Sequence, residues 1–335
     1  MDTFLKELLA SLVGIVSAFI LGSKIRLYFE IRKSLKINIL RLVQGASYIY
    51  KYILAPCTKT NKSAHSNYIN IKKSLTFVLW FRINLFYKMY KEYRPNILLA
   101  SYVETYWVSD ENLKSRQTMR IFPDGCVDIL FNCTEDDNSD IKPFIPYIIG
   151  TMTFFSDITY DKKFKIIGIR FRPCAIAAYT KVPVCEFTNA KVDTKLFQSL
   201  FSDFLSEKLF EIENETAQIR YIENYLLSKL GCLYDIDKQI INTVSYIQRT
   251  KGVIPINDLL NNICLCQRQF ERQFKNLTGV TPKMFSSITR YVTTKEFIKS
   301  NPDKSLFSIA LDCGYYDHAH LIRDFKRFGG MLPLR

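Results

Sequence analysis

The chain has 335 residues, enough for two or three domains, and its apolar fraction of 48% is typical of a globular rather than a disordered protein. The formal net charge of +14 indicates an anionic partner, either nucleic acid or a membrane surface. The charge is uneven, since residues 1–88 carry +11, residues 89–234 carry −3 and residues 235–335 carry +6. Of the two basic blocks, only the last has the composition of a folded basic domain.

Residues 1–88 form a basic, partly apolar N-terminal extension. Its uncharged run at 8–22 has 15 residues, whereas a membrane-spanning helix needs roughly 17–25. Basic residues follow the run, so a spanning helix would leave the remainder in the cytoplasm. Two interpretations stay open: a membrane anchor, or an extension foreign to the fold, with Met89 as the working start. The abrupt rise in acidic residues near Met89 favours the second.

Residues 89–205 are predicted to form a strand-rich domain. In "RIFPDGCVDILFN" (120–132) a Pro-Asp-Gly turn separates apolar strands, and the second strand has the alternation of a sheet. The segments "IIGTMTFFSDITY" (148–160) and "FKIIGIRFRP" (164–173) are read as two more strands, and "CAIAAYT" (174–180) as a short helix. Charged helices with apolar residues at helical spacing follow at 206–234 and are interpreted as a linker.

No constellation in the chain predicts catalysis or metal binding. Asp124 and Asp128 are interpreted as a turn residue and a residue on a solvated strand face, because no Ser/His/Asp set or Gly-rich phosphate loop accompanies them. The nine cysteines include no CxxC pair and no His partners at zinc-finger spacing. This pattern favours a reduced, cytosolic setting, and we expect no enzyme activity, no metal and no cofactor.

Residues 235–335 contain an internal repeat. The segment "LLNNICLCQRQFERQFKNLTGVTP" (259–282) aligns with "IALDCGYYDHAHLIRDFKRFGGMLP" (309–333) at an offset of 50 before the turn and 51 after it. Each copy is predicted to be a short helix, a turn and a second helix. In the second copy Gly314 supplies the turn and Asp317 caps the following helix. Thr281 and Pro282 begin a long helix that joins the copies.

Two such units joined by one helix predict a DNA-binding architecture with second helices at about 266–276 and 317–328. Phe270, Phe274, Leu321, Phe325 and Phe328 are placed inward by their helical spacing. Two acidic residues, Glu271 and Asp324, are placed away from the groove because they would repel DNA. The candidate DNA-binding residues are Gln267, Arg268, Arg272, Lys275, His318, Ala319, His320, Arg323 and Lys326. His318 and His320 lie on different sides of a helix, which argues against a metal site or a catalytic pair.

The C-terminal block resembles the DNA-binding domain of AraC/XylS-family transcriptional regulators over about residues 235–333. The second copy matches the family signature at Ile309, Ala310, Gly314, Asp317, His320, Arg323, Phe325, Lys326 and Pro333. The first copy departs from the family, with Leu260, Cys264 and Cys266 where Ala, Gly and Ser are usual. The motifs "YVETYWVSD" (102–110), "RIFPDGCVDILFN" and "GIRFRP" (168–173) resemble the small N-terminal domain of a subset of these regulators.

The resemblance implies an α+β multidomain chain: a strand-rich, β-barrel-like middle domain and an all-α C-terminal domain with two helix-turn-helix units. It implies a cytoplasmic, sequence-specific regulator whose middle domain senses a signal or mediates dimerisation. The partners expected are double-stranded DNA and an unidentified effector on the middle domain; a homodimer and membrane association through 8–22 stay open. The alternative is a membrane-tethered signalling protein whose terminal helices, facing the cytoplasm, bind a protein partner.

Overall fold

The strand-rich region predicted for the middle of the chain is present. The structure, a computed structural model, describes residues 90–112, 117–134, 141–143, 145–160, 163–194, 203–260, 263 and 265–333. The apolar run at 8–22 and the rest of 1–88 therefore lie outside the described residues. The strands are β1 (Tyr90–Tyr93), β2 (Val103–Asn112), β3 (Gln117–Ile121), β4 (Val127–Asn132), β5 (Pro146–Ile149), β6 (Ser156–Tyr160), β7 (Lys163–Phe171) and β8 (Lys191–Asp193).

These strands form two sheets. Six of them make one sheet in the order β1-β2-β7-β4-β5-β8, while β3 and β6 pair by themselves. Strand β7 is central and runs antiparallel to both β2 and β4. The second strand of the Pro-Asp-Gly prediction is β4, and Gly125 takes the positive φ of 83° that the turn requires.

The interpretation of Asp128 as a solvated residue is wrong. Asp128 lies opposite Arg170 in the β4–β7 register, and Arg170 donates to both of its carboxylate oxygens at 3.0 Å. Both faces of β4 are covered, since Ile129 is fully buried in the main core and Leu130 is buried in a smaller cluster on the other side. The alternation of residues along β4 therefore corresponds to two buried faces of the strand, and not to one buried and one solvated face. The reading of Asp124 as a turn residue is confirmed, since its Oδ1 accepts the backbone N–H of Cys126 at 2.9 Å.

The prediction of one strand over residues 148–160 is also wrong, because that segment supplies two strands in different sheets. Strand β5 ends at Ile149 and β6 begins at Ser156. The residues between them leave the large sheet, and Thr151 becomes fully buried against the C-terminal helices, where it hydrogen-bonds Thr278. The predicted helix at 174–180 is a short 3₁₀ helix, Ala175–Ala178.

Two helices follow the strands and cover the sheet. Helix α1 spans Asp203–Glu211 and α2 spans Glu215–Lys229, with Asn214 accepting the N–H of Ala217 as the N-cap of α2. Their apolar faces join the core of the large sheet through Leu205, Leu209, Ile219, Ile222 and Leu226. The segment predicted as a linker thus contributes to this core. We call β1–β8 together with α1 and α2 the sheet domain.

The C-terminal region is helical, as predicted. Its helices are α3 (Lys238–Arg249), α4 (Ile256–Leu260), α5 (Gln267–Thr278), α6 (Pro282–Ser300), α7 (Leu306–Asp312) and α8 (His318–Gly329). Helices α4 and α5 form the first helix-turn-helix unit, and α7 and α8 form the second. Each unit has its own buried cluster, and α6 contributes to both through Phe285 in one and Ile288 in the other.

Within the described part of the chain, no helix combines the length and apolar character needed to cross a membrane. Over the same residues, no group of three or more His, Cys, Asp or Glu side chains is arranged to hold a metal ion. Seven cysteines fall in the described ranges, and all are free thiols. Among them, burial raises the pKa of Cys174 to about 12, so this thiol stays protonated at neutral pH.

Candidate nucleic-acid interface

The second helix of each unit begins and ends at equivalent residues. Helix α8 has Asp317 as its N-cap, whose Oδ1 accepts the N–H of His320 at 2.6 Å. The equivalent N-cap of α5 is Cys266, whose own N–H is accepted by Gln269 Oε1 at 3.4 Å. The predicted cap at Thr281 is also present, with Pro282 in the first turn of α6.

The inward faces of both helices are formed by aromatic and aliphatic side chains, as the repeat predicts. Phe270 and Phe274 are fully buried, their rings 5.7 Å apart, and Phe274 meets Phe285 of α6 at 5.8 Å. In the second unit Phe325 meets Tyr291 of α6 at 5.0 Å. These edge-on ring contacts fix the rotation of each helix about its axis. The rotation decides which side chains face solvent.

The outward faces carry most of the predicted DNA-binding residues. In α5 these are Gln267, Arg268, Arg272 and Lys275, all exposed. In α8 the exposed ones are His318, Ala319, Arg323 and Lys326. Each set follows one exposed side of its helix and is dominated by basic and polar groups. The structure thus brings the predicted residues into two surface stripes, one on each second helix.

His320 differs from the other predicted residues because it is half-buried. Its ring stands edge-on to Tyr315 at 5.3 Å, and Arg290 lies over the same tyrosine, 4.6 Å from the Tyr315 ring centre. Arg290 also approaches Asp324 at 3.6 Å. This cluster joins α6 to α8 and holds His320 against the helix–turn junction, so its imidazole belongs partly to the packing of the second unit.

The two acidic residues of these helices behave differently from each other. Asp324 is buried beside Arg290, and its burial raises the pKa of the carboxyl, an effect that the Arg290 charge opposes. Asp324 therefore lies off the exposed side of α8. Glu271 is half-buried and accepts a hydrogen bond from Gln267 Nε2 at 2.9 Å. Glu271 therefore lies on the same side of α5 as Gln267, and it restrains the amide that was predicted to contact DNA.

One prominent residue of this surface was missed by the sequence reasoning. Tyr316 is 90% exposed and directly precedes the N-cap of α8. A large aromatic side chain with almost no protein contact at the start of a recognition helix is available to touch a partner. The doublet of Tyr315 and Tyr316 could have indicated it, since only one of two adjacent side chains can point into the core at a turn.

Comparison with known proteins agrees with this geometry. A helix-turn-helix domain family matches residues 259–335, and a domain of unknown function (DUF6597) matches residues 91–193. No curated protein matches the chain.

Among solved structures, the chain is similar to ToxT from Vibrio cholerae, with a TM-score of 0.38 and 12% identity, covering 66% of this chain and 97% of ToxT. Unsaturated fatty acid-bound ToxT from Vibrio cholerae strain SCE256 gives a TM-score of 0.38 and 13% identity, covering 68% of this chain and 93% of ToxT. Both are distant likenesses.

The duplicated helix-turn-helix unit and the family match define the class of the C-terminal domain: it is a helix-turn-helix domain, the kind of fold with which transcription regulators bind DNA. This domain is of the AraC type, which confirms the resemblance seen in the sequence.

Proposed function

We propose that this chain recognises specific sequences in double-stranded DNA by placing α5 and α8 in two successive major grooves. The observation that supports this most is the equivalence of the two second helices. Each buries one side within its unit and leaves a basic, polar side exposed. Helix α6, with its 19 residues, is about 28 Å long. This length is comparable to the roughly 34 Å between major-groove sites one turn apart.

Within each stripe, position along the helix suggests the type of contact. N-terminal residues of a recognition helix contact base edges, so Arg268 and His318 are assigned to base readout. Lys275 and Lys326, near the helix C-termini, are assigned to phosphates. Arg272 and Arg323 lie between these ends and are assigned to either. Tyr316, the aromatic residue before α8, is added as a contact to a sugar or a thymine methyl group.

The remaining predicted contacts are Gln267, Ala319 and His320. The amide of Gln267 is held by Glu271, so a base contact by this residue requires that bond to break or to be shared. Ala319 is exposed and would contact an apolar base edge such as the thymine methyl. His320 is partly packed on Tyr315 and would contribute at most one ring nitrogen to the interface.

For the rest of the chain we propose the division made from the sequence: an extension at 1–88, a sensor or dimerisation domain at 89–205, a helical segment at 206–234 and the DNA-binding domain at 235–335. The effector, and a homodimer if one forms, are assigned to the sheet domain. We propose the cytoplasm as the site of action, because the proposed partner is DNA.

The test is the equilibrium binding of the full chain to fluorescent DNA, followed by anisotropy. Duplexes enriched from a random pool by the chain itself supply the specific site, and scrambled duplexes supply the competitor. The variants are Arg268→Ala and Arg323→Ala. The matched control is Arg249→Ala, because Arg249 is an exposed arginine at the end of α3, outside both recognition helices.

The expected result is competitor-resistant binding whose logarithm falls linearly with the logarithm of salt concentration. A base contact contributes about 1–3 kcal/mol, so Arg268→Ala should weaken specific binding by about 5- to 150-fold. Arg323→Ala should weaken binding by a similar factor, or reduce the salt slope by about one if its contact is to phosphate. Arg249→Ala should change affinity less than twofold. Equal binding to enriched and scrambled duplexes by the folded chain would overturn the proposal.

A further inference from the structure

The sheet domain contacts the C-terminal end of the first recognition helix through two hydroxyl groups. Thr151 Oγ1 donates a hydrogen bond to the carbonyl oxygen of Thr278 at 2.7 Å. Thr188 Oγ1 donates to the carbonyl oxygen of Gly279 at 2.6 Å. Carbonyl groups at a helix end have no partner within the helix, so these bonds satisfy the terminus of α5 with groups from another part of the chain.

The sheet domain contacts the second recognition helix at its C-terminal end as well. Arg120 Nη1 donates to the carbonyl oxygen of Gly329 at 3.4 Å. Its guanidinium is held by two 2.7 Å hydrogen bonds to Asp157, its partner across the β3–β6 pair, and lies over the Phe155 ring at 4.1 Å. A Cβ at Gly330 would lie 2.7 Å from Phe155 Cζ, so the helix terminus sits directly on this ring.

These two contacts fall at equivalent points of the repeat. Gly279 and Gly330 are 51 residues apart, the offset of the repeat, and both are C-caps with positive φ, 86° and 68°. Their backbone N–H groups bond the carbonyl oxygens of Lys275 and Lys326, which are related by the same offset.

Between these points a segment of the sheet domain is inserted against both units. Phe122, which is only 6% exposed, belongs to the buried cluster of the second unit, and Lys295 of α6 lies over its ring at 3.3 Å. Three residues later, a Cβ at Gly125 would come within 2.6 Å of the Phe285 ring in the cluster of the first unit. The Pro-Asp-Gly turn therefore touches one unit while the residue that precedes it fills part of the other.

From this arrangement we infer that the sheet domain sets the distance and relative rotation of the two recognition helices, with Arg120, Thr151 and Thr188 as positioning residues. This inference rests on the proposed function. The C-terminal ends are held, whereas the N-terminal turns and exposed stripes stay available to DNA. A 12-residue helix is about 18 Å long, so a tilt of about 10° at its held end moves its first turn by about 3 Å. That displacement exceeds the tolerance of a hydrogen bond to a base.

The experiment measures how affinity depends on the spacing between the two half-sites of the enriched duplex. Adding or removing one base pair shifts one half-site by about 3.4 Å and rotates it by about 34°. The first variant is the pair Thr151→Val with Thr188→Val, which removes both donors while keeping the side-chain shape. The second variant is Arg120→Gln. The first control, Thr151→Ser with Thr188→Ser, keeps both hydroxyl groups. The second control, Thr118→Val, makes the same threonine-to-valine change on the exposed face of the small sheet, where Thr118 contacts Thr159.

The wild type should bind duplexes of one spacing best, and its affinity should fall at least tenfold when the spacing changes by one base pair. The valine pair and Arg120→Gln should each bind the best spacing about tenfold more weakly and should discriminate less between spacings. Their affinity for an isolated half-site should be unchanged. The serine pair and Thr118→Val should keep the wild-type profile. Thermal unfolding of each variant confirms that it is folded at the assay temperature.

Profiles of the wild-type shape in both folded test variants would overturn the inference while leaving the proposed function intact. An equal loss on isolated half-sites would also overturn it, because the effect would then lie within a unit. A wild type that binds enriched and scrambled duplexes equally would remove the proposed function, and the inference with it.

Discussion

The N-cap of the first recognition helix is suboptimal, and replacing it should stabilise the protein by a calculable amount. Asp317 shows what the position offers, since its carboxylate accepts the N–H of the third helical residue at 2.6 Å. At the equivalent position of α5 the N-cap is Cys266, whose thiol sulfur is a weaker hydrogen-bond acceptor than a carboxylate oxygen. Cys266 is exposed, so Cys266→Asp removes no buried contact. A good cap contributes about 1 kcal/mol, and a negative charge at the helix N-terminus adds about 0.3–1 kcal/mol.

The expected gain for Cys266→Asp is therefore about 1–2 kcal/mol in the free energy of unfolding, measured by urea denaturation with circular dichroism. Asp317→Cys should lose a similar amount. Cys232→Ser, at another exposed cysteine, controls for the removal of a thiol and should change the free energy by less than about 0.5 kcal/mol. If Asp317→Cys destabilises the chain while Cys266→Asp has no effect, the two caps are not equivalent and the alignment of the repeat at α5 is wrong.

Two further predictions concern buried charges. Asp128→Leu should lower the free energy of unfolding by about 3 kcal/mol, because it removes the bidentate partner of the buried Arg170 and leaves the more distant Asp124, 3.8 Å from Arg170 Nε. Adding Arg170→Met should recover part of the loss, and strictly additive effects in urea denaturation would refute the pairing. Burial lowers the pKa of Lys299 from 10.5 to about 8. Between pH 8 and 10.5 the unfolded chain therefore keeps a proton that the folded chain has released. The free energy of unfolding should rise with pH in that window by up to about 3 kcal/mol. Lys299→Met should be more stable at pH 7 and lack this component of the rise, and identical pH profiles for the variant and the wild type would contradict the burial of the amine.

The local features of the C-terminal region could be predicted from the sequence because a repeat shows the same pattern twice. Gly314, Asp317 and Thr281 were identified from turn and cap chemistry that depends on neighbouring residues, and the structure places each in that role. The inward aromatic residues followed from helical spacing. In both cases, the interactions that decide the structure lie within a few residues of each other along the chain.

The features that the sequence did not reveal depend on contacts between distant segments. Arg170 meets Asp128 only because β7 pairs with β4 across 42 residues, a register that no local pattern encodes. Thr151 and Thr188 are ordinary polar residues in connecting segments, and their role emerges only when α5 ends beside them, about a hundred residues later. The hydrogen bond between Gln267 and Glu271 joins residues four apart on one helix, a spacing that is visible in the sequence. The prediction considered only the repulsion between Glu271 and DNA.

The central claim, that one chain places two recognition helices in successive major grooves, is tested most directly by hydroxyl-radical footprinting of the full chain on its enriched duplex. Two protected stretches are expected on one face of the DNA, with centres about 10 base pairs apart. At protein concentrations that saturate each variant's site, Arg268→Ala should weaken one stretch and Arg323→Ala the other. A single protected stretch, or the same stretch weakened by both variants, would contradict readout by two helices.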